Sequence, residues 1–147
     1  MNKLNELKEK KLDNKGFSLV ELIIVIAIMA VLIGVLAPQY LKYVQRSRES
    51  ADLDSINTMI HAVEIYNADP ATTTLATGTI TPDATTKVVK VDTTIQDALT
   101  ASGMSTLPKM KSTEYQKAWV ITFTDSGWDV TTDTDATNHK LANALGR

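Results

Sequence analysis

Residues 17–38 form one long apolar run, and a single acid, Glu21, interrupts it. An apolar helix of about 20 residues, at a rise of 1.5 Å per residue, spans the roughly 30 Å hydrocarbon core of a bilayer. Residues 22–37 alone would reach only about 24 Å, so a full crossing must include the segment around Glu21. The sequence therefore predicts one membrane-crossing helix with an ionisable group at or just inside the membrane boundary.

Basic residues flank both ends of this run. Residues 1–16 form a charged leader with five lysines and three acids, and they contain too few apolar residues to fold alone. The lysines favour an N-terminus that stays in the cytoplasm. Lys42, Arg46 and Arg48 follow the run, where we expect them to anchor the chain among lipid headgroups. The pattern predicts a single-pass membrane precursor.

Beyond Pro38 the apolar residues recur with helical spacing. The members of this stripe are Leu53, Ile56, Ile60 and Val63, followed by Tyr66. Charged residues, Asp52 among them, are expected on the other faces until Asp69 and Pro70 end the helix. A helix over residues 17–67 would be about 75 Å long, so its first half would protrude bare and its second half would pack on the C-terminal region.

The C-terminal region, residues 70–147, predicts a small antiparallel sheet. Residues 70–87 are rich in Thr, Gly and Pro and are expected to form an exposed loop, followed by a strand in 86–94 and a helix in 94–102. Residues 114–132 indicate a hairpin, and residues 136–147 a final short helix. The predicted hairpin core contains Tyr115, Trp119, Ile121 and Phe123, with Trp128 and Val130 on the return strand. The fold class is therefore α+β.

The composition argues against catalysis and against a cofactor. The chain has no cysteine and only two histidines, His61 and His139, and it lacks the nucleotide-binding and hydrolase motifs. Four acids near the C-terminus miss the spacing of a calcium-binding EF-hand, so we expect a solvated turn and no metal site. They are Asp125, Asp129, Asp133 and Asp135. From Asp69 onward there are nine acids and seven bases, so no basic face for nucleic acid is evident.

Glu21 poses the central question of the sequence. An ionised group at the centre of a membrane helix costs about 2.5 to 3.5 kcal/mol, and less near an interface. The sequence offers no partner within the run, because Lys15 lies beyond a glycine and Lys42 lies at the far end. Cleavage after Gly16 would create a positively charged amine on Phe17. Such an amine, on the same chain or on a staggered neighbour, could pair with Glu21.

Residues 15–21, KGFSLVE, resemble the class III signal of type IV pilins and their pseudopilin relatives. The shared features are a basic-Gly cleavage site, an aromatic first residue, a glutamate at the fifth place, the apolar helix and Pro38. The resemblance covers about residues 10–40. For the rest of the chain, only the order of long helix, loop, antiparallel strands and tail is similar to the family.

The resemblance implies how the chain is processed and assembled. A membrane prepilin peptidase would cut between Gly16 and Phe17 and N-methylate Phe17. Glu21 would meet the Phe17 amine of an adjacent subunit. An assembly ATPase, a platform protein and minor pilins would be the other partners. The small residues Ala27, Ala30, Gly34 and Ala37 lie on one stripe that suits close helix packing in a homopolymer.

The resemblance also bears on Pro38. Its ring nitrogen carries no hydrogen for the Gly34 carbonyl, so we expect a weakened helix between the two residues. Family members often have an earlier glycine where this chain has Ala30.

The sequence thus divides into three parts: a leader (1–16), a long helix (17–69, with 17–38 in the membrane or filament core) and a globular region (70–147). It predicts a structural type IV pilus subunit on the cell surface, serving adhesion or twitching motility. Two alternatives stay open. One is a pseudopilin of a type II secretion or competence (DNA-uptake) machine, and the other is a bitopic, membrane-anchored binding protein.

Overall fold

The computed structural model describes residues 16–117, 119–131 and 140–146. The chain begins with a long helix, α1 (Leu19–Ala68), and continues as an α+β region. The later elements are β1 (Gly78–Pro82), β2 (Val89–Val91), α2 (Thr93–Ala101), β3 (Val120–Thr124), β4 (Gly127–Thr131) and α3 (Lys140–Ala144). This confirms the predicted fold class. The chain divides into two compact units, with the boundary between Leu41 and Lys42 inside α1.

The first unit consists of the apolar start of α1. Every described side chain from residue 16 to residue 43 is exposed in the single chain. The helix passes through Pro38 without a break. Among the residues that the structure describes, α1 is the one helix long and apolar enough to cross a membrane.

The second unit is built around the C-terminal half of α1. Its buried apolar residues are Ile56, Met59, Ile60 and Val63, each at most 2% exposed. Leu53 and Tyr66 are half-buried and pack against this cluster. The predicted stripe is therefore confirmed, and Met59 widens it, because it lies three residues after Ile56 and four before Val63. The helix ends at Ala68, where Asp69 and Pro70 were expected to stop it.

A four-stranded antiparallel sheet completes the core, with strand order β2-β1-β3-β4. β1 lies inside the sheet, and its Ile80 pairs with Val91 on one side and Ile121 on the other. Ile80 and Ile121 are fully buried. The predicted hairpin is confirmed as β3 and β4, since Phe123 pairs with Trp128 and the chain turns at Asp125 and Ser126.

The aromatic residues of the hairpin region are buried as predicted, but Tyr115 and Trp119 precede β3 and do not lie on the predicted strand. Tyr115, Trp119 and Phe123 are at most 4% exposed. Trp128 is half-buried, and its indole N–H donates to Glu64 Oε1 at 2.7 Å. These side chains therefore serve the core of the second unit.

The prediction of an exposed loop over residues 70–87 was wrong, because β1 lies within that segment. The Gly and Pro of Gly-Thr-Ile-Thr-Pro were interpreted as turn signals. In the structure Gly78 and Pro82 instead mark the two ends of the strand, where both residues are tolerated. Between them the β-branched Thr79, Ile80 and Thr81 favour extended backbone.

The placement of Asp52 on a solvent face was also wrong. This carboxylate is 1% exposed and accepts three backbone hydrogen bonds. Lys111 N–H donates to both oxygens at 2.9 and 3.0 Å, and Ser112 N–H donates to Oδ2 at 2.6 Å. Ser112 Oγ then accepts from Tyr115 N–H at 3.2 Å. Asp52 therefore fastens α1 to the irregular segment that leads into β3.

Replacing Gly78 with alanine should destabilise this sheet strongly. Gly78 has φ +134°, a conformation that only glycine adopts readily, and an added Cβ would lie 2.6 Å from Asp92 Oδ2. That oxygen accepts the Thr79 N–H at 2.7 Å, so moving it breaks a contact between β1 and the start of α2. We expect Gly78→Ala to lower the free energy of unfolding by about 2 to 3 kcal/mol, measured by urea unfolding.

Gly103→Ala is the matched control for this prediction. Gly103 also has a positive φ, +88°, but an added Cβ there would meet no atom within 4 Å. This variant carries backbone strain without the steric clash, so its free energy of unfolding should fall by less, about 1 kcal/mol. Equal losses in the two variants would contradict the role given to the Gly78–Asp92 contact.

Candidate assembly site at the start of the long helix

Ser18 and Glu21 cap the start of α1 reciprocally. Ser18 N–H donates to Glu21 Oε2 at 2.8 Å, and Val20 N–H donates to Ser18 Oγ at 3.3 Å. Ser18 O accepts the first helical hydrogen bond, from Leu22 N–H at 3.2 Å. This is a capping box, in which two backbone donors that lack helical partners are satisfied by side chains. The negative charge of Glu21 also interacts favourably with the helix N-terminus.

The sequence reasoning that found no partner for Glu21 within the run was therefore wrong for one of its two oxygens. The signal was present, because Ser-x-x-Glu before an apolar run is the pattern of a capping box. The donor is a neutral backbone N–H, that of Ser18, and not a cation. Within residues 16–117, 119–131 and 140–146, the structure records no hydrogen bond to Oε1 of Glu21 and no ion pair of this carboxylate.

Gly16 and Phe17 precede the helix and are open to solvent. Phe17 is 84% exposed, and an atom added to Gly16 as a Cβ would meet nothing within 4 Å. The described part of the chain therefore leaves the peptide bond between Gly16 and Phe17 accessible from solvent. Lys15, the basic residue of the predicted cleavage site, lies outside the described residues.

The predicted stripe of small residues lies on the exposed first half of α1. Ala27, Ala30, Gly34 and Ala37 are all exposed in the single chain. A Cβ at Gly34 would meet no atom within 4 Å. Nothing in the described part of the chain therefore requires small residues here. Their use in helix packing stays a prediction. The weakening of the helix between Gly34 and Pro38 in an assembly also stays a prediction.

The four acids of the expected solvated turn fall partly outside the described residues. Asp125 and Asp129 are exposed at the β3–β4 turn and its return strand, whereas Asp133 and Asp135 are not described, and neither is His139. His61 Nδ1 lies 3.1 Å from Glu64 Oε2 on an exposed face of α1. No group of three potential metal ligands occurs in the part of the chain that the structure describes.

The start of the chain is similar to known proteins. Residues 11–37 match the family model described as the prokaryotic N-terminal methylation motif. Three curated proteins, each named type IV major fimbrial protein FimA and each from Dichelobacter nodosus, are 42% identical to this chain over 50 residues. That match covers 34% of this chain and 31 or 32% of the relatives, so the chain spans about a third of their length.

No solved structure matches the chain significantly. The matched segment contains Gly16, Phe17, Ser18 and Glu21 together with most of the apolar run. The resemblance to type IV pilins that these residues carry is therefore confirmed for the N-terminal segment.

Proposed function

We propose that this chain is a structural subunit of a type IV pilus. It is made as a single-pass precursor in the cytoplasmic membrane, cleaved between Gly16 and Phe17, and polymerised into an extracellular filament. The observation that carries this proposal is an exposed apolar helix whose N-terminus is capped by a glutamate inside an N-terminal methylation motif. The α+β architecture of the chain is consistent with the type IV pilin fold.

In the filament the exposed apolar half of α1 would be surrounded by the same helices of neighbouring subunits. Apolar side chains that leave lipid for neighbouring helices gain little net hydrophobic energy, so close packing and polar contacts decide the arrangement. In this proposal the stripe of Ala27, Ala30, Gly34 and Ala37 allows helix backbones to approach. Pro38 lacks one helical hydrogen bond, which makes the segment after Gly34 the easiest to stretch in the filament.

Glu21 sets the register between subunits in this proposal. Its Oε2 keeps the hydrogen bond from Ser18 N–H of its own chain, and its Oε1 accepts a hydrogen bond from the amine that cleavage creates on Phe17 of a neighbour. A carboxylate excluded from water needs such a partner, because burying an unpaired charge is strongly unfavourable. The capping box and the intersubunit ion pair therefore use different oxygens of one side chain.

The partners follow from the same proposal. A prepilin peptidase cleaves the leader and methylates Phe17, and an assembly ATPase with a platform protein drives subunits out of the membrane. Minor pilins are expected companions. Similarity to proteins named major fimbrial proteins favours a pilus subunit over a pseudopilin of a secretion or competence machine. Adhesion and twitching motility are the activities we expect, and the chain itself is expected to have no catalytic role.

Mass spectrometry of the protein sheared from the cell surface tests the processing step. We expect a chain that starts at Phe17 and carries one additional methyl group on its amine. A valine at position 16 would meet no described atom at its Cβ, so Gly16→Val should leave the fold intact. In this variant the full-length precursor should accumulate in the membrane with no methyl on Phe17. An intact leader on the mature wild-type protein would contradict the proposal and would favour a membrane-anchored binding protein.

A further inference from the structure

Four cationic side chains surround one surface depression of about 550 Å³ in the second unit. Arg48 comes from α1, Lys87 from the turn before β2, and Lys109 and Lys111 from the irregular segment after α2. We refer to this depression, with Arg48, Lys87, Lys109 and Lys111, as the cationic pocket. Its volume lies in the range of small-molecule sites.

The cations of this pocket are not neutralised by ion pairs. Among the described residues, no salt bridge involves Arg48, Lys87, Lys109 or Lys111. The acid in the adjacent turn, Asp83, pairs instead with Lys90 at 2.6 Å. The Lys90 ammonium, together with backbone N–H donors, holds the pKa of the Asp83 carboxyl well below its usual range. The depression therefore concentrates positive charge in a chain whose formal net charge is -2.

Backbone contacts fix the position of the two later lysines. Asp52 lies one helical turn after Arg48, and its carboxylate accepts the backbone N–H of Lys111 from inside the protein. That carboxylate reduces the local positive potential, but it is 1% exposed and fully engaged with backbone donors. Lys109 forms an isolated antiparallel bridge with Val88.

Lys87 is held at the same place by an uncommon backbone conformation. Its φ is +62°, in the left-handed region that lysine seldom adopts. Its N–H donates to Asp83 O at 2.8 Å, and its carbonyl accepts Met110 N–H at 2.8 Å. Asp83 Oδ1 accepts the N–H groups of Thr85 and Thr86, so the turn is internally braced. The four charges are therefore presented from three connected backbone segments.

We propose that the cationic pocket binds the phosphate groups of a phosphorylated polyol or saccharide chain. Lysine and arginine make charge-assisted hydrogen bonds to phosphate oxygens, and the hydroxyls of Thr85 and Thr86 add neutral donors. No aromatic side chain is among the residues that line the depression, so nucleobases have nothing to stack on. This inference does not depend on polymerisation of the chain.

Binding is tested with the full-length chain in a neutral detergent, with poly(glycerol phosphate) as the probe and inorganic tripolyphosphate as the competitor. Isothermal titration calorimetry should detect binding that weakens as salt is added, because the contacts are electrostatic. Lys109→Gln combined with Lys111→Gln should weaken binding by about tenfold or more. Both side chains are exposed, and the backbone N–H of Lys111 remains available to Asp52.

The matched control combines Lys42→Gln with Arg46→Gln, two exposed cations for which the described residues show no ion pair. It removes the same charge from exposed positions outside the cationic pocket and should change affinity by less than about twofold. Absence of binding to the wild-type chain, or equal losses in the two double variants, would overturn the proposal. Tighter binding to a single-stranded oligonucleotide, or to phosphatidylglycerol vesicles at equal phosphate concentration, would overturn the assignment of the ligand.

Discussion

Replacing Glu21 with glutamine is expected to lower filament yield at least tenfold while leaving leader cleavage intact. Glutamine keeps an oxygen that can accept the Ser18 N–H, so the capping box survives. It removes the negative charge that we propose to pair with the Phe17 amine of a neighbour. Removing one partner of a buried charge pair costs about 2 to 5 kcal/mol, and each 1.4 kcal/mol corresponds to tenfold. Filament yield is measured by shearing and quantitative blotting.

Ser18→Ala is the matched control, because it disturbs the cap and keeps the charge. The Val20 N–H loses its side-chain acceptor, which should weaken the helix start by about 1 kcal/mol with little change in filament yield. Normal filaments from Glu21→Gln would indicate that Glu21 serves the helix cap alone. A Ser18→Ala defect as severe as that of Glu21→Gln would lead to the same conclusion.

Asp52→Ala should be among the most destabilising single substitutions in the second unit. It leaves the buried N–H of Ser112 and the N–H of Lys111 without the acceptor that α1 provides. Hydrogen bonds to charged groups contribute about 1.5 to 3 kcal/mol each, so the expected loss is about 3 to 4 kcal/mol. The thermal unfolding midpoint of the detergent-solubilised full-length chain should fall by roughly 10 °C or more.

Asp54→Ala provides the comparison for this prediction. Asp54 lies two residues further along α1, its side chain is exposed, and the substitution removes the same charge. Its effect on the midpoint should be within about 2 °C, because exposed substitutions usually change stability by less than 0.5 kcal/mol. If Asp52→Ala were no more destabilising than Asp54→Ala, the three backbone hydrogen bonds would not hold the second unit together.

The elements that the sequence predicted well are those with local periodicity. The apolar run dictates a helix by composition, and the spacing of Ile56, Ile60 and Val63 identifies its buried face. The hairpin of β3 and β4 is equally local, because alternation and a short polar turn lie within one stretch of chain. The family model matches residues 11–37, where the motif residues are contiguous in sequence.

The features that the sequence did not predict depend on contacts between distant residues. Asp52 is separated by about 60 positions from its backbone donors, so no local pattern distinguishes it from the exposed Asp54. β1 was not predicted because Gly78 and Pro82 at its ends favour turns. In the structure, pairing with β2 on one side and β3 on the other outweighs that preference. The cationic pocket likewise joins Arg48 to residues some 40 to 60 positions later, although the charge count from Asp69 onward is acidic.

Asp52 and Glu21 have different roles, one in folding and the other, as we propose, in assembly. Asp52 accepts backbone donors within one molecule, and it fixes the fold of the second unit. Glu21 accepts one backbone donor at the helix start, and its other oxygen is proposed to pair with the next molecule. The Asp52 variant should therefore affect folding before assembly, whereas the Glu21 variant should leave folding intact and affect assembly alone.

The most direct measurement is a high-resolution cryo-electron microscopy map of filaments formed by this chain. We expect each subunit to start at Phe17 and the Glu21 carboxylate to lie within about 4 Å of the Phe17 amine of an adjacent subunit. A map in which this carboxylate is remote from every chain start, or in which the leader is retained, would contradict this expectation.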